Sequence, residues 1–208
     1  MFRSGFLEFF THIHPAVVLA VWLPVVGFLV FLSVRHVDAT LPPWGIPLLM
    51  LLGITFWAFV EYTLHRFLFH YPAKSERGKR IAFMFHGLHH AQPMLKTRLL
   101  MPPPVSLGIG AVLFGFMTLI VGVALGRQSW VYPLYAGTAL GYLWYDLTHY
   151  AIHHLKLRGR LFQFLRRHHL HHHGSTPDMR FGVSSPVLDY VFGTEPRDDR
   201  SEQRAAGA

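Results

Sequence analysis

Four apolar blocks, each about 20 residues long and so able to span a bilayer, constrain this chain more than any other feature. Residues 15–34 (PAVVLAVWLPVVGFLVFLSV) and 105–125 (VSLGIGAVLFGFMTLIVGVAL) carry no charge. Residues 44–63 (WGIPLLMLLGITFWAFVEYT) carry only Glu61, and residues 130–148 (WVYPLYAGTALGYLWYDLT) only Asp146, each near the end of its block. At about 1.5 Å per residue, such a helix crosses a hydrocarbon core of about 30 Å. Charged residues make up only 14% of the chain, about half the usual share of a soluble domain. The expectation is an all-α integral membrane protein with four transmembrane helices. The first block is too long for a signal-peptide core and has no small-residue cleavage site, so it is expected to remain as an anchor.

The net charge of +8 follows the blocks. Seventeen of the 19 Lys and Arg lie before the first block, between the second and third, or after the fourth. Positive residues stay on the cytoplasmic side, so both termini and residues 64–104 and 149–195 are expected there as a helical cap. Contact with anionic headgroups accounts for this charge, and nucleic acid is not an expected partner. Residues 1–195 read as a single domain without repeats, and the polar stretch 196–208 as a disordered tail. Pro24 is expected to kink the first span. A composition rich in Ala, Gly and Arg, with no retrieval signal, favours a bacterial inner membrane over the endoplasmic reticulum. There are no cysteines, which excludes disulfides and thiolate metal sites.

Thirteen of the 16 histidines fall just after a span or in the two cap segments. They form four boxes: His65 and His70; His86, His89 and His90; His149, His153 and His154; and the run 168–173. Helical residues three or four apart share a face, so His86, His89 and His90 are expected to point together, as are His149 and His153. His65 and His70 lie about 140° apart on an ideal helix, so that helix must end or distort between them. In the last box, Phe162, Leu165, His169, His172 and His173 form one stripe, while His168 and His171 fall off it. Ten candidate ligands result: His65, His70, His86, His89, His90, His149, His153, His169, His172 and His173. One tetrahedral zinc takes four ligands, so ten imidazoles imply two metals, drawn from iron, zinc, copper or nickel. Glu61, one turn before His65, and Asp146, three residues before His149, are expected to accept the outward ring N–H of a ligand imidazole. His154 reads either as a support beside the site or as spare. His12, His14 and His36 are isolated and read as interfacial.

The stretches "EYTLHRFLFH", "FHGLHH", "RLLMPP", "YDLTHYAIHH", "HHLHHH" and "FGVSSPVLDYVFGT" resemble the fatty acid hydroxylase and sterol desaturase superfamily, most closely its fatty acid 2-hydroxylase branch. The likeness covers roughly residues 55–195 and places ligands on the same ten histidines. It implies a four-helix membrane protein with a cytosolic His-rich lid and two iron ions, with zinc competing for the same imidazoles. The implied activity is O2-dependent hydroxylation of a long-chain fatty acid or fatty acyl lipid at the 2-position. The substrate would be a lipid acyl chain drawn from the bilayer. Relatives in this branch often carry a fused cytochrome b5 domain, whereas 14 residues precede the first block here. Electrons are therefore expected from a separate donor, cytochrome b5-like or ferredoxin-like.

Within enzymes, the alternative is a desaturase or a hydroxylase of a sterol or carotenoid, since both reactions begin by abstracting hydrogen from a C–H bond. A metal transporter would want its ligands at the membrane midplane and a buffer would want a flexible His-rich loop; these histidines sit at span ends with helical spacing. A di-haem cytochrome would need paired histidines deep in facing spans, and no block has one away from its end.

Overall fold

The computed structural model describes residues 12–196, and every regular element among them is helical. The long helices are α1 (Pro15–Arg35), α2 (Gly45–Thr63), α4 (Pro103–Met117) and α5 (Gln128–His154). Between α2 and α4 lies the short α3 (Glu76–Ala82), and after α5 come α6 (Arg160–His173) and α7 (Val187–Val191). The predicted tail lies almost wholly outside the described residues.

Local chemistry accounts for the helix ends. Pro15 occupies the first turn of α1, and His14 Nδ1 accepts the Ala16 N–H at 3.2 Å. His14 is thus the N-cap of α1. Helix α1 continues through Pro24 to Arg35. Ser75 Oγ accepts the Gly78 N–H at 3.1 Å and starts α3. Pro103 sits in the first turn of α4, where its missing N–H costs nothing.

Three helices turn directly into π-helix: α2 into Leu64–Phe69, α3 into Phe83–Gly87 and α4 into Thr118–Ala124. A last helical turn, Leu88–Ala91, follows the second of these. The distortion required between His65 and His70 is the first π segment, closed by the His70 N–H on the His65 carbonyl at 3.1 Å.

By length and composition, three helical segments can cross a membrane: Pro15–Arg35, Gly45–Phe69 and Pro103–Ala124. The fourth predicted block falls in α5, which does not join them. It is rich in Tyr, Gly and Thr where the others hold Val, Leu and Ile, and 17 of its 27 residues are buried. Helix α5 is the hub, packing most extensively on α2 and next on α1. Its glycines let α2 approach closely: a Cβ on Gly137 would lie 1.9 Å from the Met50 carbonyl oxygen. Trp22, Trp57 and Tyr142 meet at this crossing, with ring centroids 5.0 and 5.3 Å from Tyr142. Trp22 Nε1 also donates to Ser106 Oγ at 3.1 Å, tying in α4. At about 1.5 Å per residue, α5 is roughly 40 Å long, and its last two turns carry His149 and His153 past the bundle.

Candidate metal centre

Ten histidines converge in two adjoining groups. His65, His70, His86, His90 and His172 form one; His89, His149, His153, His169 and His173 form the other. In each group, one ring nitrogen per residue lies within 4.8 Å of all the others. The groups meet where His90 and His173 stack, with centroids 4.2 Å apart.

The division departs from the helix-face expectation. His86 and His90 turn to one group while His89 turns to the other, so that box straddles both. Helix α6 does the same: His169 and His173 share a group with His149 and His153, and His172 joins His65 and His70. Helix α6 lies across the seam, so a single stripe meets both groups.

Neutral imidazoles alone do not satisfy this arrangement. His86 Nε2 is 3.0 Å from His65 Nε2 and 2.9 Å from His90 Nε2, and His169 Nε2 is 3.0 Å from both His153 and His173. His172 Nε2 lies 3.1 Å from His70 Nε2, and His149 Nε2 lies 2.9 Å from His89 Nε2. One ring carries one proton, which cannot bridge two such neighbours at once. In the first group the proton is already placed, because His65 Nδ1 donates to the Phe181 carbonyl at 2.5 Å and His172 Nδ1 to the Met179 carbonyl at 2.6 Å. Both Nε2 lone pairs therefore face inward. A metal with ligands at about 2.0–2.1 Å places neighbouring nitrogens at right angles about 2.9 Å apart. The donor set and its spacing fit such an ion in each group.

Burial keeps these rings in the form that binds metal. Desolvation, reinforced by neighbouring imidazoles, pushes His90 and His173 down to about 3. Desolvation does the same for His172, against the opposing pull of the Met179 carbonyl. His86, His89 and His169 are held well below 6.5 for the same first reason. Neutral imidazole is the ligating species.

The two carboxylates do not reach the imidazoles as expected. Glu61 Oε1 accepts the Val183 and Ser184 N–H groups at 2.7 and 2.8 Å, and Ser184 Oγ donates to Oε2. Asp146 accepts from Tyr142 Oη at 3.1 Å and from the Met101 N–H at 3.4 Å. Other groups take their oxygens instead: the turn at residues 183–184 for Glu61, and Tyr142 with the Met101 amide for Asp146. His154 is half-buried, with its ring 4.9 Å from Tyr150 and outside both groups.

Sequence reasoning missed the 179–195 segment as a support. The Met179 and Phe181 carbonyls have no residue-type signature. His168, off the stripe, is buried, with Nε2 3.1 Å from Asp189 Oδ2 and Nδ1 3.1 Å from Glu195 Oε2. The signal for Asp189 was a lone acid in an apolar run.

A cavity of about 230 Å³ adjoins both groups, touching His86 of one and His89 and His149 of the other. Phe69, Met84, Leu99, Leu100 and Val105 make it mainly apolar, and Arg98, Tyr145 and Asp146 add polar atoms. Among the aromatic residues near the histidines, Phe69 and Tyr145 line it, whereas Phe67 and Trp144 are exposed.

The fatty acid hydroxylase family model matches residues 50–194. A dihydroceramide fatty acyl 2-hydroxylase of Arabidopsis thaliana is 37% identical over 94% of this chain and 79% of its own length. The fatty acid 2-hydroxylase of Homo sapiens is 40% identical over 71% of this chain and 39% of its own. The solved structure of full-length scs7p, of which only the hydroxylase domain is visible, has a TM-score of 0.84 at 33% identity, covering 94% of this chain and 71% of that one. These relatives are plant, yeast and mammalian proteins, which overturns the expectation of a bacterial inner membrane. Ala, Gly and Arg content has no physical tie to compartment, since small residues serve helix packing in any bilayer. The match over most of the sequence, the shared fold and the paired histidine groups place this membrane-embedded hydroxylase in the fatty acid hydroxylase family, to which the chain belongs.

Proposed function

We propose that the chain hydroxylates the carbon next to the carboxyl of a long fatty acyl group, free or within a lipid. In this reading residues 1–195 form one domain, and α5 is a fourth span shielded by α1, α2 and α4. The ten grouped histidines hold two irons, five imidazoles each, in a cap beside the membrane. Bound iron supplies the activation of O2 that an unactivated C–H bond demands. For each turnover, one O2, two electrons and two protons convert the C–H into C–OH and release one water. The electrons come from a separate redox donor.

The observation that carries this reading is the mainly apolar cavity touching both histidine groups. Met84, Leu99, Leu100 and Val105 offer an acyl chain a surface that excludes water. Arg98, whose guanidinium also donates to His12 Nε2 at 3.1 and 3.3 Å, brings a cation to the same wall. Tyr142 and the Met101 N–H pin Asp146, which keeps the wall beside His149 in place. Holding the acyl head and the target carbon in one geometry is the protein's share of the catalysis.

Lipid profiling of cells expressing the intact chain or His172→Ala tests the proposal. The expected result is 2-hydroxy acyl lipids with the intact chain alone, identified by fragmentation mass spectrometry. A new double bond, a hydroxyl elsewhere on the chain, or a hydroxylated sterol or carotenoid would overturn it.

A further inference from the structure

The segment after α6 holds no metal-group histidine, yet it contains a constrained backbone aimed at one group. Alone among the described non-glycine residues, Arg180 has a positive φ, 60°. A large L residue stays in that region only where its surroundings over-determine it, and such positions gather at functional sites. Here they do. The Arg180 N–H donates to the Thr194 carbonyl at 3.0 Å, Nε to Glu195 Oε1 at 3.1 Å and Nη1 to Thr176 Oγ1 at 3.1 Å. The next two amides, Phe181 and Gly182, donate to the two oxygens of Asp189, each at 2.8 Å.

Asp189 is fully buried and also accepts from Thr194 Oγ1 at 2.7 Å. His168 Nε2 stands 3.1 Å from the same carboxylate. A Cβ on Gly182 would lie 2.1 Å from the Ser185 carbonyl oxygen, so this turn closes only over glycine. On either side of Arg180, the Met179 and Phe181 carbonyls meet His172 Nδ1 and His65 Nδ1. The other histidine group differs. The Nδ1 atoms of His89, His153, His169 and His173 are buried without a hydrogen-bond partner.

We propose that Asp189 is a positioning residue for the site of His65, His70, His86, His90 and His172. By holding the Phe181 and Gly182 amides against the strained Arg180, it aims two carbonyls at two ligands and makes this site the tighter of the pair. The inference rests on the two-metal reading above. A carbonyl that takes the outward N–H fixes both tautomer and ring orientation, and its loss typically costs about 10- to 100-fold in metal affinity.

The test is chelator titration of purified, cobalt-loaded protein, with metal counted by elemental analysis and each site followed by its cobalt absorption. His172→Ala and His153→Ala assign the bands to the two sites. The wild type should release two ions in two steps, with the Asp189-supported site last. In Asp189→Asn that site should weaken about 10- to 100-fold, while the band of the other site stays unchanged. Arg180→Gly and Arg180→Val remove the same side-chain contacts, but only glycine adopts a φ near 60° freely. The glycine variant should keep the two steps and the valine variant should lose them. This pair answers the question even if Asp189→Asn fails to fold. Two ions with a wild-type release profile in Asp189→Asn, or in Arg180→Val, would overturn the inference alone. Equal weakening of both sites with a lowered melting temperature would do the same, because that marks a merely structural residue. A wild type that binds one ion or none overturns the two-metal reading and this inference with it.

Discussion

His171 is exposed, with Nδ1 3.3 Å from Ser175 Oγ, while its neighbour His172 is fully buried between His70 Nε2 and the Met179 carbonyl. One step along a helix turns a side chain by about 100°, enough to exchange solvent for the site. His172→Ala should therefore lower bound metal by one ion per chain and abolish turnover. His171→Ala should leave metal content intact and turnover within about two-fold, as surface substitutions usually do. Equal damage from both, by metal analysis and product assay, would refute this reading of α6. Glu61 and Asp146 teach a different lesson at the same scale. Buried carboxylates must be satisfied, and here backbone amides and hydroxyls reach them before any imidazole does.

The π segments show how an element carries chemistry. His65 and His70 stand five positions apart, too far for one face of an α-helix, yet their rings lie 5.0 Å apart. Closing the turn with an i to i+5 bond brings both round to the same side, as π-bulges at functional sites do. Helix packing then decides where these ends point. The α2–α5 crossing depends on bare backbone at Gly53 and Gly137, where an added Cβ would lie 2.0 and 1.9 Å from carbonyl oxygens. Gly137→Ala should push α5 from α2 and destabilise the protein by about 1–3 kcal/mol, the usual cost of overpacking. Gly115, with open space around it, is the control. Thermal unfolding in detergent should show a clear drop for Gly137→Ala and little change for Gly115→Ala. A wild-type melting curve for the former would mean that the helices adjust freely.

Taken whole, the molecule gathers ten imidazoles into a space that cannot tolerate their charge. The native rings of His90, His172 and His173 stay neutral down to about pH 3, whereas in the unfolded chain they bind protons near 6.5. Above 6.5 both states are neutral and these groups contribute no pH dependence. As pH falls from 6.5 toward 3, the unfolded state takes up protons that the native state refuses, so stability declines. Metal-depleted protein should melt progressively lower through that window, and metal should dissociate over the same range as protons compete for ligands. Melting temperatures that stay level from about pH 7 to pH 4.5 would contradict the neutral-ring assignment.

Helical periodicity and membrane thickness are written into the residue order, and so the sequence by itself determined the apolar helices, the distortion at His65–His70 and the inward stripe of α6. These follow from neighbours within one segment. Tertiary structure alone decided how ten histidines divide between two groups, because that depends on where helices distant in sequence cross. His86 and His89 stand three apart on one short segment, yet they face different partners only because α2 lies on one side and α5 on the other. The same limit hid the Met179 and Phe181 carbonyls. Every residue has a carbonyl, and its direction is set by a backbone turn that Asp189 holds from ten and eight residues further along the chain.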